Sequence, residues 1–376
     1  MVRSLKLFTI AGIEISVHYT WLFIFILIVY TLAVGYFPMR VRGLDKSLYL
    51  MMSVLSAFLL FASVLFHELS HSLMAKKEKL KVDKIVLFLF GGVAQISEEP
   101  KSAKDEFKIA VVGPISSFFL ALVFWFLWYF VISSSGSEVF GAIFEYLALI
   151  NFMLGAFNLL PGFPLDGGRI LRAYFWNKTK DLAKATSIAS TAGKGLGMFL
   201  ILLGAFQVIT GYFIGGLWMI FIGLFLRQAA ESSYQRVLIM DVLSGMKVKE
   251  LMSSNVVCVS PDLPISDLVD EFFFKHRFSS FPVCQKDKFL GIVTLHSVKE
   301  IPKERWREKT VSSAVKEVSE EFILDPEDDA VNALKKIIQS DLGSLPVLKD
   351  KKVVGILTRK DIMNLLRIKT DLGRKR

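Results

Sequence analysis

The feature of this sequence that most constrains its fold is a long, almost wholly apolar run from Leu48 to Ala75. A run of that length predicts a helix that crosses a membrane. Near its end, however, Phe66 to His71 read Phe-His-Glu-Leu-Ser-His. Ionisable side chains are costly at such a depth, and they therefore indicate a functional site inside the membrane.

The motif His-Glu-x-x-His suits a metal centre when it lies on a helix. Residues four apart share one helix face, so His67 and His71 can both direct a ring nitrogen at one metal ion. Glu68 lies beside them, where a carboxylate can accept a proton from water. The alternative is a helix end whose polar groups meet headgroup water and one another. Because catalytic zinc usually takes three protein ligands, the rest of the chain must supply one more.

The composition and charge fit a membrane protein with a soluble part. Of the 376 residues, 53% are hydrophobic, which is too apolar for one soluble globule. The net charge is +10, but Lys and Arg fall largely in loops between the apolar runs. Because membrane topology accounts for basic residues in such loops, we expect no nucleic-acid partner.

The apolar runs predict an α-helical polytopic membrane protein with about six transmembrane helices and a small membrane-embedded β region. Residues 1–18 alternate in polarity around Ala11-Gly12 and predict a short hairpin. Residues 85–96 are apolar but too short to span, and Gly91-Gly92 interrupts them, which indicates a strand or re-entrant loop at membrane depth. The predicted spans are residues 19–37, 47–75, 107–132, 139–160, 193–209 and 213–226.

The charges in the loops predict the orientation. The links after the second and fourth spans are rich in Lys and Arg, which favours a multi-pass protein of the cell membrane with both termini and the C-terminal part in the cytoplasm. His67 lies nine residues before Lys76, so it should lie about 14 Å below the cytoplasmic surface. Asp166 falls at the cytoplasmic end of the fourth span, and both residues therefore approach the same leaflet.

A third metal ligand is available at Asp166. Pro161 and Pro164 break the fourth helix, and Gly167-Gly168 permits a sharp turn after the carboxylate. Broken helices persist in membranes only where protein or a wet cavity surrounds them. The alternative is a helix C-terminus at which Asp166 pairs with Arg169.

Two asparagines precede this break. Asn151 and Asn158 are seven residues apart and share a helix face, which favours hydrogen bonds between helices. Asn158, the nearer to the break, could instead bind a substrate carbonyl or stabilise a developing oxyanion.

The combined motifs resemble the site-2 protease family of intramembrane zinc metalloproteases over roughly Leu5 to Leu226. The resemblance implies one zinc ion per chain, Glu68 as the general base, and a transmembrane protein segment as the substrate. It also implies that Asn158 helps to bind substrate and that the segment with Gly91 and Gly92 pairs with unwound substrate. The implied zinc ligands are His67, His71 and Asp166. The motifs that carry the resemblance are HELSH, GGV, GP at Gly113-Pro114 and N-x-x-P-x-x-P-x-D-G.

The C-terminal part contains an internal repeat. Phe281-Pro282-Val283 and Gly291-Ile-Val-Thr294 recur 64 residues later as Leu345-Pro346-Val347 and Gly355-Ile-Leu-Thr358. A duplicated unit of about 60 residues predicts a soluble α/β module of two similar domains. It resembles a tandem pair of CBS domains. The predicted divisions are 1–230 for the transmembrane metalloprotease domain, 231–247 for a linker, 248–306 and 307–370 for the two CBS domains, and 371–376 for a basic tail.

The resemblance to CBS pairs implies a bound adenine nucleotide, such as ATP, and association of two chains through these domains. In that family a Thr and an Asp at the end of a strand bind the phosphate and ribose, and here they are Thr358 and Asp361. The first copy has Ser297 at the aspartate position, so we expect the second copy to be preferred. The alternative is that Thr358 and Asp361 only cap a helix.

The two cysteines add a constraint of their own. Cys258 and Cys284 both lie in the C-terminal part and lack metal-ligand spacing. A single pair predicts no disulfide framework and suits a reducing compartment.

The leading hypothesis is an intramembrane zinc endopeptidase whose activity adenine nucleotides modulate. The rival class is a CBS-gated transporter or channel, since intramembrane His and Asp can also line an ion path. A third possibility is a nucleotide-sensing scaffold with degenerate catalysis. Glu68 discriminates between the first two, because catalysis needs a carboxylate there and a conduit tolerates Gln.

Overall fold

Among the residues that the computed structural model describes, six helices are long and apolar enough to cross a membrane, by length and composition. They are Thr20–Arg40, Lys46–Lys77, Ala103–Ser133, Glu138–Asn158, Leu182–Ile209 and Phe213–Leu243. The prediction of about six spans is therefore confirmed. The structure describes residues 4–88, 91–96, 99–134, 136–286, 288–340, 342–350 and 352–371. The chain divides into two units, Met1–Val237 and Leu238–Arg376.

The first unit contains the helices that carry the candidate site. Its first span comprises α1 (Thr20–Thr31), a π-helical turn and α2 (Phe37–Arg40). The long helices α3 (Lys46–Lys77), α4 (Ala103–Ser133) and α5 (Glu138–Asn158) follow. Helix α4 begins where Ser102 Oγ accepts a hydrogen bond from the amide of Asp105, an N-cap that fixes its first turn.

The unit is completed by α6 (Asp166–Thr179), α7 (Leu182–Ile209) and the part of α8 (Phe213–Leu243) that precedes Leu238. Helix α6 lies where the sequence indicated only a basic link, because its two leading glycines and its charges conceal the helical pattern. Helix α8 continues beyond Leu226, where the predicted apolar span ends, since residues 227–231 (RQAAE) are all strong helix formers.

A four-stranded sheet packs against these helices. The strands are β1 (Ser4–Ile10), β2 (Ile13–His18), β3 (Val82–Phe88) and β4 (Gly91–Ile96), in the order β1-β2-β3-β4. The predicted N-terminal hairpin is thus present, and the predicted β region is a second hairpin. Strands β2 and β3 pair in parallel. Fully buried Ile13, Ile15 and Ile85 pack with Ala75 of α3 and Ile109 of α4, so the sheet lies against the helix that carries the HELSH motif.

Helices α7 and α8 pack backbone to backbone through glycines. A Cβ added to Gly204 of α7 would lie 2.5 Å from the carbonyl oxygen of Gly216 in α8. A Cβ added to Gly216 would lie at the same distance from the carbonyl oxygen of Gly204. Gly197 and Gly223 form a second reciprocal pair one heptad away. Small residues at such positions let two membrane helices approach closely enough for extensive van der Waals contact.

Replacing Gly204 with Leu is expected to separate α7 from α8 and to lower the free energy of unfolding by about 1–3 kcal/mol, the usual range for overpacking. The measurement is thermal unfolding of the full chain in detergent. Gly195→Leu is the matched control, because it lies on the same helix and a Cβ there meets nothing within 4 Å. Equal melting temperatures of the two variants would contradict this packing.

The second unit is built from two copies of one fold. The first copy contains α9 (Ile265–Asp267), β5 (Ser280–Gln285), β6 (Lys288–Thr294) and α10 (Leu295–Lys299). The second contains α11 (Ala330–Gln339), β7 (Ser344–Lys349), β8 (Lys352–Thr358) and α12 (Arg359–Asp371). The two hairpins have the same register at an offset of 64 residues, and the equivalent hydroxyls of Ser280 and Ser344 form a 2.6 Å hydrogen bond.

Each copy also forms a β-bridge with the segment that leads into the other copy. Ser253 precedes the first copy yet pairs with Ile356 in the second, and Lys316 precedes the second copy yet pairs with Ile292 in the first. Val248 and Leu251 accordingly lie in the apolar core of the second copy. The segment between the hairpins therefore belongs structurally to both halves.

The sequence predicts no disulfide framework, and the structure contains one pairing that this prediction did not foresee. Cys258 and Cys284 are paired as a disulfide, with their Cα atoms 5.8 Å apart. The β-bridge between Val259 and Val283 brings these neighbouring positions together. Sequence spacing could not show this proximity, because it depends on the pairing of the leading segment with β5.

Candidate active site

Three buried side chains converge at one point between α3 and α6. The Nε2 atoms of His67 and His71 lie 3.1 and 3.0 Å from the same carboxylate oxygen of Asp166, and 3.2 Å from each other. His67 and His71 are each 4% exposed, and Asp166 is 9% exposed. The structure thus brings together the three residues that the sequence singled out as metal ligands.

Helix α4 orients both imidazole rings from the other side. His71 Nδ1 lies 2.6 Å from the backbone carbonyl oxygen of Ile109, and His67 Nδ1 lies 2.8 Å from the hydroxyl of Ser117. A carbonyl oxygen only accepts hydrogen bonds, so His71 Nδ1 carries a proton, and the lone pair of a neutral ring then lies on Nε2, which faces Asp166. Histidine ligands of metals are commonly held in this way. Sequence reasoning missed Ile109 and Ser117.

This arrangement fits a bound cation. The lone pair of His71 Nε2 and the carboxylate oxygen of Asp166 are both electron-pair donors, yet they lie 3.0 Å apart in a buried site. Two such donors repel one another unless a proton or a metal ion lies between them. Two imidazoles and one carboxylate form a ligand set typical of catalytic zinc.

Gly113 makes room for the two rings. A Cβ at this position would lie 2.8 Å from His67 Nε2 and closer still to the ring of His71. Gly113 lies inside α4, directly before Pro114, and leaves the helix face over the histidines without side-chain bulk. The glycine is therefore required by a close approach between α4 and α3.

A tight turn delivers Asp166. Helix α5 ends at Asn158, residues 159–165 turn, and Asp166 is the first residue of α6, where the helix dipole favours a carboxylate. A Cβ on Gly167 or Gly168 would overlap the backbone of this turn, so the glycines permit the fold. The alternative pairing of Asp166 with Arg169 is not what the structure shows, since Arg169 Nε lies 4.0 Å from Glu106 Oε1.

Glu68 and the glycine pair of β4 are neighbours. A Cβ on Gly92 would overlap Cγ of Glu68 and lie 3.2 Å from its Cδ. Gly91 has a φ of +124°, a conformation that glycine adopts readily, and its nearest neighbour for an added Cβ is Val64 at 4.0 Å. The close approach of the strand to Glu68 therefore requires glycine at position 92, whereas position 91 favours glycine through its backbone conformation.

The two asparagines have different surroundings. Asn151 is fully buried, and its Nδ2 donates to Ser63 Oγ at 3.2 Å, which joins α5 to α3 one turn before His67. Asn158 is partly buried, and its Nδ2 donates to the carbonyl oxygen of Leu154 within α5. The interhelical bond expected of these residues is thus present at Asn151.

The nucleotide-binding candidates form a helix cap at the start of α12. Thr358 Oγ1 donates to Asp361 Oδ2 at 2.6 Å, and the amide of Asp361 donates back to Thr358 Oγ1. Thr294 and Ser297 make the equivalent cap in the first copy. The two caps therefore have matching geometry, but the second copy has the carboxylate of Asp361 where the first copy has the hydroxyl of Ser297.

The fold and the site together define a class. A His-Glu-x-x-His motif on an apolar helix, completed by a buried carboxylate from a helix break, is the arrangement of a membrane-embedded metallopeptidase. Comparison with known families agrees with this class. Residues 55–141 and 131–203 match peptidase family M50, and residues 248–304 and 315–368 match the CBS domain.

Relatives that align with nearly the whole chain are described as zinc metalloproteases. The chain is 32% identical over 373 residues to a zinc metalloprotease of Methanocaldococcus jannaschii, covering 98% of each chain. It is 30% identical over 365 residues to a Mycobacterium tuberculosis protein provisionally named zinc metalloprotease Rip3, covering 96% of this chain and 93% of that one. A solved site-2 protease from M. jannaschii is 33% identical and covers 62% of this chain and 95% of its own, with a TM-score of 0.43.

The chain belongs to peptidase family M50, the site-2 type of zinc metalloprotease. It is a multi-pass membrane protein with a C-terminal pair of CBS domains.

Ser117→Ala removes the hydroxyl that holds His67 Nδ1, and it is expected to weaken zinc binding by about 10–100-fold, as for other residues that orient a ligand. The measurement is competition for zinc with a chromophoric chelator. Ser116→Ala is the matched control, because Ser116 Oγ donates to the carbonyl of Gly113 within α4. Equal zinc affinities in the two variants would refute the role of Ser117.

Proposed function

We propose that this chain is an intramembrane endopeptidase that cleaves transmembrane segments of other membrane proteins. The observation that carries the proposal is the meeting of His67, His71 and Asp166 on and beside an apolar helix, with Glu68 next in the chain. Water and a peptide bond must both reach this point for hydrolysis. A peptide bond in a helix is shielded, so the substrate segment must unwind locally before cleavage.

The proposed roles follow from the chemistry of each side chain. His67, His71 and Asp166 would hold one zinc ion, which when bound supplies Lewis acidity toward a carbonyl and toward water. Glu68 takes the proton of the attacking water and later returns a proton to the leaving amine. Asn158 is proposed to bind a substrate carbonyl from the end of α5.

The sheet supplies a place for an unwound substrate. Strand β4 lies at the end of the order β1-β2-β3-β4, and its Gly92 touches the side chain of Glu68. An extended peptide added to an exposed sheet edge gains backbone hydrogen bonds without regard to its sequence. A substrate strand bound beside β4 would therefore bring its peptide bonds close to the base.

Glu68→Gln is expected to lower cleavage of a single-span substrate by about 10²–10⁴-fold, since it removes the general base. Zinc content should remain that of the parent protein, because the three proposed ligands are intact. The measurement is substrate cleavage in detergent, with metal content determined on the same samples. Glu78→Gln is the control, since this glutamate at the end of α3 pairs with Lys108.

The same experiment separates the protease from the transporter or channel. A conduit depends on the polar cluster for conduction and would tolerate Gln at position 68. Cleavage by Glu68→Gln at the parent rate would contradict the protease and favour the conduit.

We further propose that both termini and the CBS pair lie in the cytoplasm. The basic residues in the last turn of α3 and just after it, from Lys76 to Lys84, support this orientation. A cytoplasmic module meets a reducing environment, so the Cys258–Cys284 bond is expected to open there.

Two chains are proposed to associate through their CBS pairs, where Phe274, Phe278 and Ile338 expose large apolar side chains.

An adenine nucleotide is proposed to bind at Thr358 and Asp361 and to modulate cleavage. Asp361→Ala is expected to weaken ATP binding by about 10-fold or more, because a hydrogen bond to a charged group contributes roughly 1.5–3 kcal/mol. The measurement is calorimetric titration of the full chain with ATP. Ser297→Ala is the matched control, since it removes the equivalent cap from the first copy.

If these residues serve only as caps, both variants lose about 1 kcal/mol of stability and neither changes nucleotide binding. Cleavage that stays constant across a saturating ATP titration would argue against modulation.

A further inference from the structure

We propose that the ion pair between Glu106 and Arg172 is the positioning element that sets Asp166 opposite the two histidines. The inference rests on the proposed metal site and deepens it. Arg172 Nε donates to Glu106 Oε1 at 2.6 Å, and Arg172 Nη2 donates to the same oxygen. Glu106 is fully buried and Arg172 is 6% exposed.

One face of α4 contacts both α3 and α6, the two helices that carry the proposed metal ligands. Glu106, Ile109, Gly113 and Ser117 follow one another at spacings of three, four and four residues, and they therefore share a helix face. Ile109, Gly113 and Ser117 each touch a histidine of α3. Glu106, one turn earlier, instead binds α6, the helix that begins with Asp166.

Arg172 links this face of α4 to the turn that precedes Asp166. It lies six residues after Asp166 on the same helix, about 9 Å along the axis. Its guanidinium carbon lies 5.2 Å from the ring centre of Phe163, in the turn before α6, and its Nη2 lies 3.3 Å from Glu99 Oε2. Because Gly168 packs against the backbone of Gly162, the turn and the start of α6 move together.

The pair is poorly explained as a source of stability alone. Burying two charges is costly even when they meet, and an apolar pair of similar volume is often as stable. In addition, Glu106 Oε2 is buried without a hydrogen-bond partner among the described residues. A directional bond, however, fixes the rotation of α6 about its own axis, which apolar contacts alone would leave less defined. That rotation sets where the carboxylate of Asp166 points.

The test uses the full chain in detergent with Co²⁺ as the probe metal, because its visible absorption reports ligand number and geometry. Glu106→Gln is expected to weaken cobalt binding by about 10–100-fold, as for other outer contacts of a metal site. Its visible bands should also shift and lose intensity as Asp166 leaves the metal. Arg172→Gln should give the same result, and Glu78→Gln, which breaks another ion pair of α4, should leave the spectrum unchanged.

A double variant separates positioning from stability. Glu106→Leu combined with Arg172→Met removes both buried charges, so it should recover the melting temperature of the metal-free protein while its cobalt spectrum stays altered. If Glu106→Gln does not fold, Glu106→Asp keeps the charge and should show a smaller change of the same kind.

Two outcomes would overturn the inference alone: a parent-like spectrum and affinity in folded Glu106→Gln, or a parent-like spectrum in the double variant. A parent protein that binds no cobalt would instead overturn the proposed metal site and the inference with it.

Discussion

The need to satisfy polar groups inside a membrane governs this structure. Water is scarce at that depth, so each imidazole needs a partner for its outer nitrogen as well as for its inner one. The carbonyl of Ile109 and the hydroxyl of Ser117 meet this need from a single helix. The close approach of α4 that they require is possible only because Gly113 lacks a side chain.

The same need to satisfy polar groups explains the break between α5 and α6. A continuous helix could not present a carboxylate to α3 and then leave toward the surface. The turn at residues 159–165 presents the carboxylate to α3 and lets the chain change direction. Its backbone is covered by glycines of α6 and by Gly193 of α7, where an added Cβ would meet the turn at Phe163. The second half of this irregular segment is thus packed against protein at Gly162, Phe163 and Leu165, whereas Leu159 and Pro161 are exposed.

Sequence reasoning found those parts of the molecule that short-range patterns encode. Apolar runs marked the spans, and the chemistry of HELSH and of Asp166 marked residues that the fold brings together. It missed α6, because two glycines and scattered charges weaken the helical pattern. It also missed Ser117 and the Cys258–Cys284 pair, since a serine in an apolar helix is unremarkable and a 26-residue separation becomes a contact only after the strands pair.

The parallel pairing of β2 with β3 has a consequence for how the chain is made. Val17 pairs with Leu87, and two membrane spans lie between them in the sequence. At a synthesis rate of about 5–20 residues per second, the N-terminal hairpin waits roughly 4–14 s for its partner strand. During that interval its inner edge has unpaired backbone groups, a state that invites association with other chains. The sheet can therefore close only after the helix with the HELSH motif has been synthesised.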